Sequence, residues 1–170
     1  MEFNQIIKER YSVRKFKTTE IEKEKIKELL ETLNYIPSAM NLQPEKVYVL
    51  KSKEALEKIG KLANTYQAPV VLLICGDTNI AWHNPMEEGY NTAEMDSSIV
   101  STYLMLKSFE LGLGSLWIRF FNSKEIKEEF LLEENIQPIC LLALGYPRED
   151  SKPSHHHNEK KPLSELIEYK

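Results

Sequence analysis

Val70-Val71-Leu72-Leu73-Ile74-Cys75-Gly76-Asp77 is the stretch on which the reading of the fold turns. An unbroken apolar run, rich in branched side chains and closed by a Gly-Asp turn signal, reads as a strand buried on both faces. The run is far too short to cross a bilayer. Ile139 to Leu144 is a second run of the same kind, and Val47 to Leu50 and Ser115 to Ile118 are further strand candidates.

Around these strands the apolar spacing changes to that of helices. Upstream, residues 53–63 carry Leu56, Ile59, Leu62 and Ala63 on one side. Before them, Ile26, Leu29, Leu30 and Leu33 follow helical spacing after Thr19-Glu20-Ile21-Glu22, which has capping-box spacing, and Pro37 stops that helix. Residues 3–10 form a short helix with Phe3, Ile6 and Ile7 on one face. Downstream of the central strand, 77–91 is a polar loop and a long helix runs from about Thr92 to Leu111, ended by Gly112. Ser123 caps another helix, 146–161 is a loop, and Pro162 opens a short helix at its first position. Four or five strands interleaved with about as many helices give an α/β or α+β domain.

The chain has 170 residues, with 22 Lys and Arg against 26 Asp and Glu, a net charge of −4. This balance argues against nucleic acid or an anionic membrane as the main partner, since both need a broad basic surface. The segment MEFNQIIKERYSVRKF is charged from Glu2 and lacks an apolar targeting core, so the expected location is cytoplasmic. Cys75 and Cys140 each lie inside an apolar run, which points to buried, inert thiols rather than a disulfide framework.

No G-x-x-x-x-G-K-[ST], G-x-S-x-G or H-E-x-x-H pattern occurs. Gly112-Leu113-Gly114 lacks a third glycine and lies between a helix and the next strand, the wrong context for a dinucleotide fingerprint, so the pair is expected to terminate a helix. His155-His156-His157 is expected to be a solvated loop, with no carboxylate at ligand spacing and no metal site. His83 has no evident partner as a catalytic base.

Two segments remain. Arg10-Tyr11-Ser12-Val13-Arg14 offers two guanidinium groups and a hydroxyl, which suit a phosphate but also suit a solvated basic face. Pro37 to Pro44 has small residues that allow close backbone approach, with Asn41 and Gln43 as amides that both donate and accept, a set suited to the edge of a planar heterocycle or to an ordinary loop.

Taken with RYSVRKF, PSAMNLQP, APVVLLICGD, MDSSIVSTYLMLKSFELGLGSLWI, LLALGYP and KKPL in that order, the chain resembles the short form of the nitroreductase family of flavin-dependent oxidoreductases over essentially its whole length. The resemblance implies an α+β fold: one domain over residues 1–170 with a mixed, largely antiparallel sheet flanked by helices, built as an intertwined homodimer. It implies tightly bound FMN at the dimer interface. Arg10, Ser12 and Arg14 of one subunit would meet the phosphate and ribityl chain, with Tyr11 where the family often has a second Arg. Pro37, Ser38, Ala39 and Asn41 of the other subunit would meet the ring, with Gln43 close behind. Glu45 stands where the family commonly has an aromatic residue. Trp117, Ile118 and Arg119 match a segment whose backbone amides approach the flavin, with Arg119 where many members have Gly, placing a long cation on the substrate side. Lys160 or Lys161 would reach the phosphate.

The implied activity is transfer of reducing equivalents from a transient NAD(P)H donor to a small nitroaromatic or quinone-like acceptor by a ping-pong cycle. No general acid or nucleophile is expected, because the chemistry belongs to the flavin. The alternatives are a specialised family member such as a reductive dehalogenase, with 77–91 as a lid, a flavin-binding or redox-sensing module without turnover, and a structural dimer without cofactor.

Overall fold

The computed structural model describes residues 2–170. Its centre is the expected run: β2 (Val70–Asp77) is buried from Val70 to Gly76, as apolar residues on both faces of the pleat require. Around it stand β1 (Glu45–Leu50), β3 (Gly114–Ile118) and β4 (Ile136–Gly145) in the order β1-β2-β4-β3, every neighbouring pair antiparallel. Tyr48 pairs with Leu73, Leu72 with Leu142, and Leu116 with Ala143. A parallel bridge between Ser12 and Ser115 at the free side of β3 makes the sheet mixed.

The helices are α1 (Phe3–Glu9), α2 (Lys23–Glu31), α3 (Lys53–Leu62), α4 (Ala93–Glu110), α5 (Ser123–Glu129) and α6 (Leu163–Leu166). Two apolar layers sandwich the sheet. On one face Leu73, Leu116 and Leu141 pack with Ile59 of α3 and Ile126 of α5; on the other Leu72 and Leu142 pack with Leu29 of α2 and Val100 and Leu104 of α4. Each fully buried side chain of this size contributes about 1.5–3 kcal/mol. Gly76 has a packing role: a Cβ there would sit 2.8 Å from the Ala93 carbonyl oxygen, so glycine lets the first turn of α4 lie on the sheet. Among the described residues no helix is long and apolar enough to cross a membrane.

Local signals are corrected in three places. The capping box at 19–22 does not form. Glu22 caps α2 without a side-chain bond, and its carboxylate accepts from the Tyr146 hydroxyl (2.5 Å), to which Lys25 also donates (2.8 Å). A tertiary partner has displaced the local one. The cap of α5 is Asn122, which accepts from Lys124 N–H, while Ser123 donates to the Pro138 carbonyl. Pro162 caps α6 from outside rather than opening it. Of the α1 face only Ile6 is buried; Phe3 and Ile7 are exposed.

Gly112 behaves as expected. At φ +77° it turns the chain left-handed, and Leu113 N–H reaches back to the Ser108 carbonyl.

Candidate cofactor-binding site

Arg10 ends α1, its N–H still bonded to the Ile6 carbonyl, and the chain then runs extended beside β3. Val13 N–H donates to the Ser115 carbonyl (3.0 Å), Lys17 N–H to that of Tyr146 and Arg148 N–H to that of Lys15. Val13 is buried and pins the segment. Gly114 makes the approach possible, since a Cβ there would lie 2.6 Å from Val13 Cγ2. The two glycines of the Gly-Leu-Gly run therefore do different work: Gly112 ends a helix, and Gly114 seats the Arg10–Arg14 strap.

The strap displays its polar groups outward. Arg10 Nη1 contacts Met105 Sδ (3.5 Å), Arg14 Nη1 donates to the Ser12 carbonyl (3.3 Å), and the Tyr11 hydroxyl donates to Ser151 Oγ (3.2 Å). Among the described residues neither Arg10 nor Arg14 has a carboxylate partner, although Lys15 and Arg148 beside them both pair with Asp150. Two free guanidinium groups in an acidic protein fit a phosphate. Trp117 and Ile118 continue β3 from the same anchor, half-buried and buried respectively. The Arg119 guanidinium packs over the Phe121 ring at 4.8 Å from its centroid. Lys160 and Lys161 are exposed, and no hydrogen bond or ion pair ties them to the strap among the described residues.

The second cluster is built differently. After Pro37, a 3-10 turn (Ala39–Asn41) carries the chain into β1, and Met40, Asn41 and Gln43 all hold positive φ between 50° and 55°. Non-glycine residues adopt that region at a cost of about 1–2 kcal/mol each, so something must hold them. Ala39 N–H donates to Asp96 Oδ1 (3.0 Å) and Gln43 N–H to Ser38 Oγ (2.9 Å). Asp96 is 2% exposed, and its Oδ2 accepts from the Thr92 hydroxyl (2.7 Å). The Asn41 and Gln43 side chains stay exposed, free to meet a ring edge.

One chain keeps the clusters apart. Asp96 holds the amide loop near the start of α4, and Met105 meets Arg10 near its end, about 13 Å further along the axis. Nine residues at about 100° each also place them on opposite flanks of that helix.

Asp96 is the residue that sequence reasoning missed. Its signal was an acid in the first turn of a helix placed on the buried stripe with Ala93 and Ser97. Below it lies Glu45, opposite Gly76 in the sheet. Burial pushes the Glu45 carboxyl above its usual range and the Asp96 charge adds to the rise, against a lowering backbone hydrogen bond. Glu45 Oε2 and Ser97 Oγ are buried without a partner among the described residues.

His83 bonds the Thr78 carbonyl within the 77–91 loop, and its backbone pairs with Asn91. The His155–Asn158 turn corrects one expectation: it brings His155, His156 and Glu159 within 4.8 Å of one another, so a carboxylate does stand beside the imidazoles, all three exposed. A cleft of about 890 Å³ between the start of α2, α3 and residues 63–70 contains none of the expected site residues.

Residues 7–65 and 60–146 match the Nitroreductase family. The chain belongs to that family. A crystal structure of a nitroreductase family protein from Clostridium difficile 630 superposes with a TM-score of 0.93 at 38% identity, covering 99% of this chain and 98% of its own. The FMN reductase [NAD(P)H] of Bacillus subtilis is 28% identical over 169 residues, 87% of this chain and 68% of that protein. A solved structure from Exiguobacterium sibiricum 255-15, in complex with FMN, shares the nitroreductase fold with a TM-score of 0.85 at 24% identity, covering 100% of this chain and 98% of its own.

Proposed function

We propose that residues 1–170 form one flavin-binding domain that works as an intertwined homodimer, passing reducing equivalents from NAD(P)H to a small acceptor. The observation that carries this is the divided site: an unpaired cationic strap and a clamped amide loop on opposite flanks of α4. Each half lies open on its own chain, so no single-chain cleft has to contain them. A two-fold partner unites the strap of one subunit with the loop of the other. The apolar surface for such a partner is present: Met95 and Tyr103 of α4 and Phe3 and Ile7 of α1 are exposed at 54%, 42%, 63% and 42%.

The donor set fits FMN. Arg10, Arg14 and the Ser12 hydroxyl hold the phosphate and ribityl chain, with Lys160 or Lys161 adding charge. Pro37, Ser38, Ala39, Asn41 and Gln43 of the other subunit frame the ring, and Trp117, Ile118 and Arg119 supply backbone donors along its edge. Tyr11 braces the strap through Ser151. When bound, FMN supplies the hydride and electron chemistry, which accounts for a site without nucleophile or general acid. The protein orients the cofactor, offers amide donors to its pyrimidine edge and leaves one face open. Donor and acceptor use that face in turn, a ping-pong order, with nitroaromatic or quinone-like compounds as acceptors.

The test is direct. The purified protein is expected to be yellow, to release FMN and not FAD on denaturation, and to bleach anaerobically with NADH or NADPH. Arg10→Ala with Arg14→Ala is expected to lower FMN affinity. A protein that refuses added FMN, or double-variant affinity equal to wild type, overturns the assignment.

A further inference from the structure

Glu45 is a residue without an obvious purpose in the fold. It opens β1 on the face that carries Val47 and Val49 toward α4, where an apolar side chain would pack at no electrostatic cost. Its place is fixed by its pairing with Gly76, over which the first turn of α4 lies in backbone contact. One turn on from Ala93 comes Asp96, the residue that clamps Ala39. A carboxyl group with a buried, unpartnered oxygen thus sits beneath the one acid that holds the amide loop in its left-handed conformation.

We propose that Glu45 is a positioning residue for this loop: protonated, it leaves Asp96 free to grip the Ala39 amide, and ionised, it sets a second negative charge against that grip and loosens the loop. Two carboxylates in one desolvated layer cannot both ionise without cost. Asp96 has two donors to support its charge, Ala39 N–H and the Thr92 hydroxyl, while the Glu45 carboxyl has one backbone hydrogen bond and its Oε2, among the described residues, none. Burial therefore favours the protonated form at Glu45. Among the described residues no cation opposes the pair. α4 brings Asp96, with Glu94 exposed on its outer side; β2 brings Gly76; the loop before β1 brings no charged group. Lys46 alternates to the other face of β1, where its ammonium lies 5.9 Å from the Tyr48 ring centroid.

The sign follows from proton linkage. A carboxyl whose folded-state affinity for protons is raised binds more protons folded than unfolded, so the clamped state is fully favoured below the ordinary carboxyl range and loses ground as pH rises through the raised value. If the loop frames the flavin ring, as the proposed function has it, cofactor affinity falls over the same interval.

The experiment uses the full chain, with and without FMN, as wild type and Glu45→Gln, from about pH 4 to about pH 8. Three readings are taken: hydrogen-exchange protection of the Ala39 amide corrected for the intrinsic rate, FMN affinity, and the Glu45 carboxyl carbon shift in wild type. The expected result is a Glu45 midpoint above about 4.3, with Ala39 protection, and FMN affinity relative to Glu45→Gln, falling together by about tenfold for each pH unit by which that midpoint is raised. In Glu45→Gln the Ala39 profile is flat, and FMN affinity keeps only the rise that ionisation of the cofactor's own phosphate brings near about pH 6. Parallel profiles in the two proteins overturn the inference and leave the FMN assignment standing, as does a wild-type midpoint at or below about 4.3. The wild-type titration decides if the variant does not fold. A titrating Ala39 clamp in a protein that binds no FMN supports the carboxyl pair and removes the cofactor reading instead.

Discussion

Asp96→Ala tests the central mechanical claim, that one buried carboxylate holds the amide loop. The side chain accepts two hydrogen bonds, from Ala39 N–H at 3.0 Å and from the Thr92 hydroxyl at 2.7 Å. Bonds to a charged group contribute about 1.5–3 kcal/mol each. Ala39 is only half-buried, so its amide recovers water, while Thr92 is 4% exposed and its hydroxyl is left unpaired. The net loss is about 3 kcal/mol, a fall in Tm of about 6–12 °C for a chain of this length. Met40, Asn41 and Gln43 then keep only the side-chain tie from Gln43 N–H to Ser38 Oγ against about 1–2 kcal/mol of strain each, so the loop is expected to relax and FMN affinity to fall. Asp96→Asn sharpens the test. An amide has one acceptor oxygen and one NH2, so one of the two donors must face hydrogens, and stability drops by at least about 1 kcal/mol. Removing the hydroxyl with Thr92→Val relieves that conflict, so a double-mutant cycle gives a coupling of about 1 kcal/mol between positions 92 and 96. Urea unfolding at fixed protein concentration measures all four proteins. Asp96→Ala within about 0.5 kcal/mol of wild type, inside the range of an ordinary surface change, refutes the clamp.

Two further outcomes follow from the packing. Gly114→Ala puts a Cβ 2.6 Å from Val13 Cγ2 and 2.9 Å from Pro147 Cγ, so stability is expected to fall by about 1–3 kcal/mol and FMN affinity with it as the strap lifts from β3; wild-type values in urea unfolding and FMN titration would show that the glycine is incidental. Burial pushes the Cys75 thiol up to about 12 and that of Cys140 up to about 11, the latter partly held down by Ser101. Because the thiolate is the reactive form, a colorimetric thiol reagent is expected to label neither cysteine in the native protein and both in denaturant; prompt native labelling would contradict the packed core.

The fold was legible where burial is extreme. An apolar run such as Val70–Cys75 has one stable use in a sheet, and every expected strand is present to within a few residues. Helix starts were less legible, because a cap is a weak local bond that a tertiary partner displaces: Tyr146, far along the chain, takes Glu22 from its capping box. The strap residues were visible as chemistry, two guanidinium groups and a hydroxyl, but the feature that seats them was not. Gly114 looks in sequence like half of a helix terminator, and only the approach of Val13 shows its purpose. Asp96 was hidden for a related reason. Its partner is a backbone N–H, and a backbone donor has no letter in the sequence. Glu45 was readable as a departure from the family pattern, while its burial beside Asp96 required the sheet register that places it opposite Gly76.

Dividing the proposed site between subunits has a thermodynamic consequence. A strap alone offers FMN a phosphate contact, exposed to solvent and weakened by salt, and a loop alone offers a few amides. On the proposed reading neither half alone would retain the cofactor tightly. On that reading, cofactor binding and assembly are one linked equilibrium, in which FMN would stabilise the dimer by its differential affinity for it over the separated chains. The geometry sets the direction of that linkage. The strap and loop are each fixed to a rigid element, β3 and α4, before any partner arrives, so little conformational entropy remains to be lost when the halves meet. The cost of preorganisation is borne instead within each chain, in the left-handed residues of the loop and in two arginines kept without carboxylate partners. A charged strap that were paired, or a loop that were relaxed, would leave each chain more stable alone and the assembled site weaker.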